Sequence, residues 1–210
     1  MKYSIDNLIA VDNEYRELHG SFIVGVDEVG RGSLAGPIVA CAIMLKPSFK
    51  LDGIRDSKQL SPIKRAEYSN AILTEGCIGY GIGEVQAEEI DKIGIVSATY
   101  KAMTEAIKKI EHNISCILID GPSFKSDEIC SKHKIFTIIK GDQKSYSIAA
   151  ASIVAKVYRD NLMNCIIDDK YNFGKHKGYG TEKHIETIIK YGPSDWHRKS
   201  FIQKFINKRK

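Results

Sequence analysis

The chain lacks long apolar runs, paired cysteines and repeated or low-complexity segments, and each absence excludes a class of protein. No stretch approaches the roughly 18 consecutive apolar residues of a membrane span. The first 20 residues, MKYSIDNLIAVDNEYRELHG, are charged throughout and carry no apolar centre of a secretion signal. The five cysteines, Cys41, Cys77, Cys116, Cys130 and Cys165, are odd in number and show no C-x-x-C spacing. A disulfide framework and a zinc site are thereby disfavoured, and buried reduced thiols are the simpler expectation. A cytoplasmic protein without membrane attachment is expected.

What is present is one domain's worth of chain and an uneven charge. The 210 residues suffice for one full-sized core with a small appendage. Residues 1–105 hold 11 Lys/Arg against 15 Asp/Glu, whereas residues 106–210 hold 20 against 11, so the net +5 comes from the C-terminal half. A basic half is compatible with a polyanionic partner, although charge alone does not select one.

The pattern of apolar residues predicts alternating strands and helices. Residues 3–18 read as an amphipathic helix with Ile5, Leu8, Ile9 and Leu18 on its apolar face, closed by Gly20. Residues 21–28 and 37–46 are near-continuously apolar, as strands covered on both faces are. Ser61-Pro62 opens a helix to about Thr74. Residues 77–85 read as a third strand whose glycines pack beneath a helix; a turn, QAEEIDKIG, and an Ala-rich helix over 95–110 follow. Strands are predicted at 115–119 and 134–139, and a long helix over 145–169. The loop YNFGKHKGYGT, a helix from Thr181 to Lys190 and the basic tail HRKSFIQKFINKRK complete the chain. This order is that of an α/β domain around a mixed sheet.

Three of the strands end in an acidic residue: Asp27 (beside Glu28), Asp120 and Asp142. In open α/β sheets functional groups gather at the carboxyl ends of parallel strands. Four carboxylates brought together there repel unless some protonate or a divalent cation enters, and hard oxygen donors suit Mg²⁺ or Mn²⁺. Plainer explanations stay open for each residue. Asp120-Gly121-Pro122 can be a turn, Asp142 can cap a helix, and neighbouring strand residues such as Asp27 and Glu28 should point to opposite faces. Gly30-Arg31-Gly32 can be a turn or a loop whose bare backbone reads a 2′-hydroxyl. Tyr179 can stack on a sugar or simply pack on the surface.

The blocks GVDEVGRGSLAGP, DSKQLS, LIDG, KGD, SIAAASIVAKVYRD and KHKGYGT, in this order between about residues 21 and 201, resemble the ribonuclease HII family, the type 2 ribonucleases H. The resemblance implies a ribonuclease-H-like fold: a five-stranded mixed sheet flanked by helices, with a helical C-terminal subdomain. Its divisions would be an N-terminal helical appendage (1–20), a catalytic domain (21–170) and a substrate-binding subdomain (171–210). It implies metal-binding, catalytic carboxylates at Asp27, Glu28, Asp120 and Asp142, with divalent Mn²⁺ or Mg²⁺ as cofactor. The substrate-binding positions would be Gly30, Arg31, Gly32 and Tyr179, with Lys58 and Ser152 near substrate phosphates. Lys175, Lys177, Arg198 and Lys199 are expected on the phosphate backbone. The implied enzyme is a monomeric metal-dependent endonuclease that cuts RNA in RNA/DNA hybrids and ribonucleotide-containing duplex DNA, 5′ to the ribonucleotide. A DNA-only nuclease and a non-catalytic hybrid-binding module are the rival classes.

Overall fold

In the computed structural model, which describes residues 4–54 and 60–206, the first helix begins where Ser4 caps it by accepting the Asn7 N–H at 3.3 Å. This helix, α1 (Ile5–His19), ends at Gly20, whose positive φ of 113° and N–H bond to the Arg16 carbonyl close the last turn. Leu8 of α1 is buried, but Leu18 is 74% exposed and does not belong to its packed face. The buried face is completed by an acid, Asp12.

Strands β1 (Ile23–Val29), β2 (Ile38–Leu45) and β3 (Cys77–Val85) are antiparallel neighbours, while β4 (Cys116–Asp120) and β5 (Ile135–Ile138) continue the sheet parallel to β1. The order across the sheet is β3-β2-β1-β4-β5. The expected five-stranded mixed sheet is therefore the observed one. Alternation along the strands divides the core into two layers. Val24, Val26, Ile117 and Ile119 face α4 (Ile95–Lys108), whereas Cys41, Ile43 and Leu45 face α6 (Tyr146–Cys165) and α2 (Pro62–Ala71). Small residues let the helices lie close. A Cβ added to Gly83 would meet the Ala102 carbonyl oxygen of α4 at 1.9 Å, so the glycines of β3 do serve close packing.

Several local expectations differ from the structure. The segment expected as an acidic turn after β3 is a helix, α3 (Ala87–Ile93), because Gln86 and Gly94 bound seven residues with Ala87 and Ile90 turned inward. The helix α2 ends early in a π-helical turn over Ile72–Gly76. After β4 a single turn, α5 (Asp127–Cys130), precedes β5. The aromatic loop contains α7 (Phe173–His176), and beyond α8 (Glu182–Tyr191) the basic tail forms α9 (Lys199–Ile206). A separate apolar cluster joins Tyr171, Phe173, Ile188 and Ile202 of this region to Leu34, Ala35 and Met163. Cys41 and Cys116 are buried and Cys77 partly so, but Cys130 and Cys165 are exposed, and all five are free thiols. No helix among the described residues is long and apolar enough to cross a membrane.

A buried acid ties helix α1 to the start of α6. Asp12 accepts the Ser145 hydroxyl at 2.6 Å and the Ser147 N–H at 2.9 Å, at the start of α6. Burial outweighs these bonds and raises its carboxyl above the usual range. Asp12→Ala leaves two buried donors without this acceptor and is expected to cost about 2 kcal/mol. Asp12→Asn, which keeps an acceptor, should cost less. Urea unfolding checks this, and equal stability of the wild type and the alanine variant would contradict the role.

Candidate active site

Parallel pairing of β1 with β4 brings the acids together. The register matches Val26 with Ile119, which sets Asp27 and Asp120 side by side as the next residues at the same sheet edge. β5 then leads, through Lys140 in the left-handed region and a 3₁₀ turn over Gly141–Gln143, to Asp142. The Gly141 N–H donates to Asp120 Oδ1 at 2.5 Å, so the turn that carries Asp142 is anchored on the neighbouring acid.

Glu28 resolves in favour of the cluster. Single carboxylate oxygens of Asp27, Glu28 and Asp120 all lie within 4.8 Å of one another. The β1–β4 pairing has ended by this point, and the longer Glu28 side chain reaches the strand end where Asp27 Oδ1 accepts the Glu28 N–H at 2.7 Å. Asp142 is not among these three, but it lines the same cleft of about 440 Å³ together with Asp27, Glu28, Asp120, Ser152 and Tyr179. Asp27 is buried, and burial together with the charges of Glu28, Asp120 and Asp142 holds its carboxyl well above the usual carboxylate range. Ser152 on α6 counters this by hydrogen bonding to Asp27. A hard, all-oxygen, mutually repelling donor set fits a divalent cation such as Mg²⁺ or Mn²⁺.

The glycine loop is built by two buried arginines. Gly30 has φ +90°, and a Cβ there would lie 2.2 Å from Arg159 Nε, so only glycine fits. Arg159 donates to the carbonyls of Pro37, Ala35 and Lys177 at 2.9, 3.1 and 3.0 Å. Arg198 donates to Gly36 through Nε and Nη2 at 3.0 and 2.9 Å and to the Arg31 carbonyl at 3.0 Å. Both arginines are fully buried, and burial followed by the charge of Arg159 pushes Arg198 down to about 9. Arg198, expected on the phosphate backbone, is thus committed to carbonyls inside the protein. Arg31 and Gly32 are exposed, with open space around Gly32, and Arg31 lies 3.8 Å from Glu28.

Tyr179 is half-buried at the cleft, with Lys156 Nζ 5.2 Å and the Arg159 guanidinium carbon 5.5 Å from its ring centre. Lys177 donates to Asn164 and to the Gly174 carbonyl, while Lys175 and Lys199 are exposed. Lys58 lies outside the described residues. Sequence reasoning missed Lys156 and Arg65, both in the cleft and both paired with Asp160, at 2.7 and 3.5 Å. Positions 152, 156 and 159 share one face of α6, and that four-then-three spacing was the available signal.

The family model described as ribonuclease HII matches residues 24–208. The ribonuclease HII of Chlamydia pneumoniae is 44% identical over 197 residues, covering 93% of this chain and 90% of that protein. The chain belongs to the ribonuclease HII family. It is a metal-dependent endoribonuclease, a hydrolase with ribonuclease H activity on RNA/DNA hybrids. Among solved structures, ribonuclease H2 of Pyrococcus horikoshii OT3 superposes with a TM-score of 0.71 at 23% identity, covering 90% of this chain and 98% of that one. Bst-RNase HIII in complex with Mn²⁺ gives 0.66 at 19% identity, covering 93% and 73%. Both identities speak to the fold, which ribonuclease HII shares with them.

A metal-dependent centre of this design is expected to be destabilising when bare. Asp27, with its raised carboxyl, contributes full stability below the unfolded carboxylate range near pH ~4 and loses it as pH rises through the folded value. In EDTA, Asp27→Asn should therefore melt above the wild type, by a margin that grows with pH. Mn²⁺ should raise the wild-type midpoint much more than the variant's. A variant that melts lower in EDTA at every pH would contradict the repulsion.

Proposed function

We propose that the protein, besides cutting the RNA strand of hybrids, incises duplex DNA on the 5′ side of a single embedded ribonucleotide, leaving a 3′-hydroxyl and a 5′-phosphate. The observation that carries this is adjacency: the Gly30–Gly32 loop begins one residue, Val29, after Asp27 and Glu28, with its exposed end open around Gly32. A ribose whose 2′-hydroxyl meets that backbone would place its own 5′ phosphodiester beside the carboxylates.

Two divalent cations, Mg²⁺ or Mn²⁺, held by Asp27, Glu28, Asp120 and Asp142 would supply the Lewis acidity that activates water and stabilises the leaving oxygen. The chain's own groups do the rest. Ser152 and the Glu28 N–H keep Asp27 oriented, and the Gly141 N–H does so for Asp120. Lys156 and Arg65 place positive charge in the cleft for the phosphates. Tyr179, steadied by Lys156 and Arg159, would stack on the deoxyribose 3′ to the ribonucleotide and favour an RNA-to-DNA junction. Segment 171–210, with exposed Lys175 and Lys199, would act as the substrate-binding subdomain, so affinity should fall steeply with salt. One chain contributes every carboxylate, which supports action as a monomer, and five free thiols suit the cytoplasm.

A gel assay tests this on a duplex with one ribonucleotide beside an all-DNA control, in Mg²⁺ and in Mn²⁺. Incision of the first alone is expected, and cutting of the all-DNA duplex would instead favour a DNA nuclease. Asp120→Asn should lower the rate by roughly a thousandfold, on the order of 4 kcal/mol of lost transition-state stabilisation; near wild-type cleavage would refute the assignment. Tyr179→Ala should lose far more on the junction substrate than on an all-RNA hybrid, with Tyr179→Phe intermediate or unaffected.

A further inference from the structure

The loop that carries Tyr179 rests on three imidazoles. His184 and His197, both 1% exposed, face each other with Nε2 atoms 3.0 Å apart, and His176 stacks on His184 at a ring separation of 4.1 Å. Tyr171 and Phe173 pack around them.

The partners of each ring nitrogen fix where the protons are. The Tyr179 carbonyl can only accept, so His184 Nδ1, 2.9 Å away, carries a proton. The Ser194 N–H can only donate, so His197 Nδ1, 3.0 Å away, is bare, and it also accepts the Ser194 hydroxyl at 2.9 Å. A neutral ring bare at Nδ1 is protonated at Nε2, and one protonated at Nδ1 is bare at Nε2. His197 therefore donates to His184 across the 3.0 Å gap. Each nitrogen has its matching partner, and the bonds run one way: Ser194 to His197 to His184 to the Tyr179 carbonyl. Burial pushes both rings down to about 4, which keeps them neutral. His176 Nδ1 accepts the Gly178 N–H at 3.2 Å, so the residue before Tyr179 is held as well.

We propose that His184, locked by His197 in its Nδ1–H tautomer, is a positioning residue that holds Tyr179 at the cleft and so sets the preference for an RNA-to-DNA junction. The junction half of this rests on the stacking role given to Tyr179 above; the tautomer half does not.

Imidazole nitrogen NMR at neutral pH should show His184 protonated at Nδ1 and His197 at Nε2. The opposite tautomer of His184 overturns the relay. Kinetics supply the second arm, as the ratio of kcat/KM on a junction duplex to that on a continuous RNA/DNA hybrid. His184→Phe keeps ring volume but removes the donor, and should lower the ratio roughly tenfold, the scale of one lost buried hydrogen bond, mainly through KM. His184→Asn retains an N–H near the Nδ1 position and should keep most of the ratio. A merely structural defect would lower both substrates together. Should His184→Phe not fold, His197→Phe, which removes the enforcing Nε2–H together with the acceptor for Ser194, carries the same comparison. A retained ratio in these phenylalanine variants, while Tyr179→Ala loses it, overturns the proposal. If Tyr179→Ala itself leaves the ratio unchanged, the stacking role falls, and amide exchange at residues 178–180 decides the relay: faster exchange in His184→Phe upholds it and unchanged exchange overturns it.

Discussion

Mutual repulsion among carboxylates at the ends of β1 and β4 is the constraint to which the rest of the structure answers. Parallel pairing sets Asp27 beside Asp120, and Glu28 joins them within 4.8 Å. In a partly desolvated site such charges oppose folding unless donors or cations offset them. The protein supplies some donors from its own chain: the Glu28 and Gly141 N–H groups and Ser152. These orient the oxygens without neutralising them, a shortfall that a divalent cation would fill. Stability is thus given up at the place where chemistry needs charge.

Positive charge inside the protein is used differently. Arg159 and Arg198 are buried, and their guanidinium donors go to backbone carbonyls of the 31–37 loop and of Lys177. They join the loop after β1 to the C-terminal region, as do the bonds from the Leu34 and Ala35 N–H groups to the Gly178 carbonyl. The glycine loop and the tyrosine loop therefore form one hydrogen-bonded unit beside the acids. The other basic residues named above lie at the surface or in the cleft, where Lys156 and Arg65 pair with Asp160.

Most of the fold was legible because its signals are local. Continuous apolar runs gave β1 and β2, Ser61-Pro62 marked the start of α2, and Ala spacing marked α4. Failures came where tertiary context decides. Leu18 looks like part of an apolar face but points to solvent while its neighbour His19 stacks on Phe136, and the buried face includes Asp12, whose partners are 133 and 135 residues away. In the site, strand-end acids could be listed from sequence, but Glu28 could not be oriented, since alternation sends it away from Asp27 and only the folded strand end brings its carboxylate within 4.8 Å of the other two. Arg198 reads as one more basic residue in a basic tail; its burial depends on the chain just before α9 folding back against the loop between β1 and β2, which no short-range pattern encodes. The imidazole relay is likewise invisible, because its members are spread over Tyr179 to His197 and meet only in the folded chain.

Asp27, Glu28 and Asp120, with carboxylate oxygens within 4.8 Å of one another, are proposed to hold a divalent cation. Anomalous scattering at the manganese edge, from crystals of the protein soaked in Mn²⁺, tests it most directly. A manganese peak is expected within bonding distance of oxygens from these three carboxylates. Well-ordered manganese elsewhere on the protein, with none between them, would contradict it.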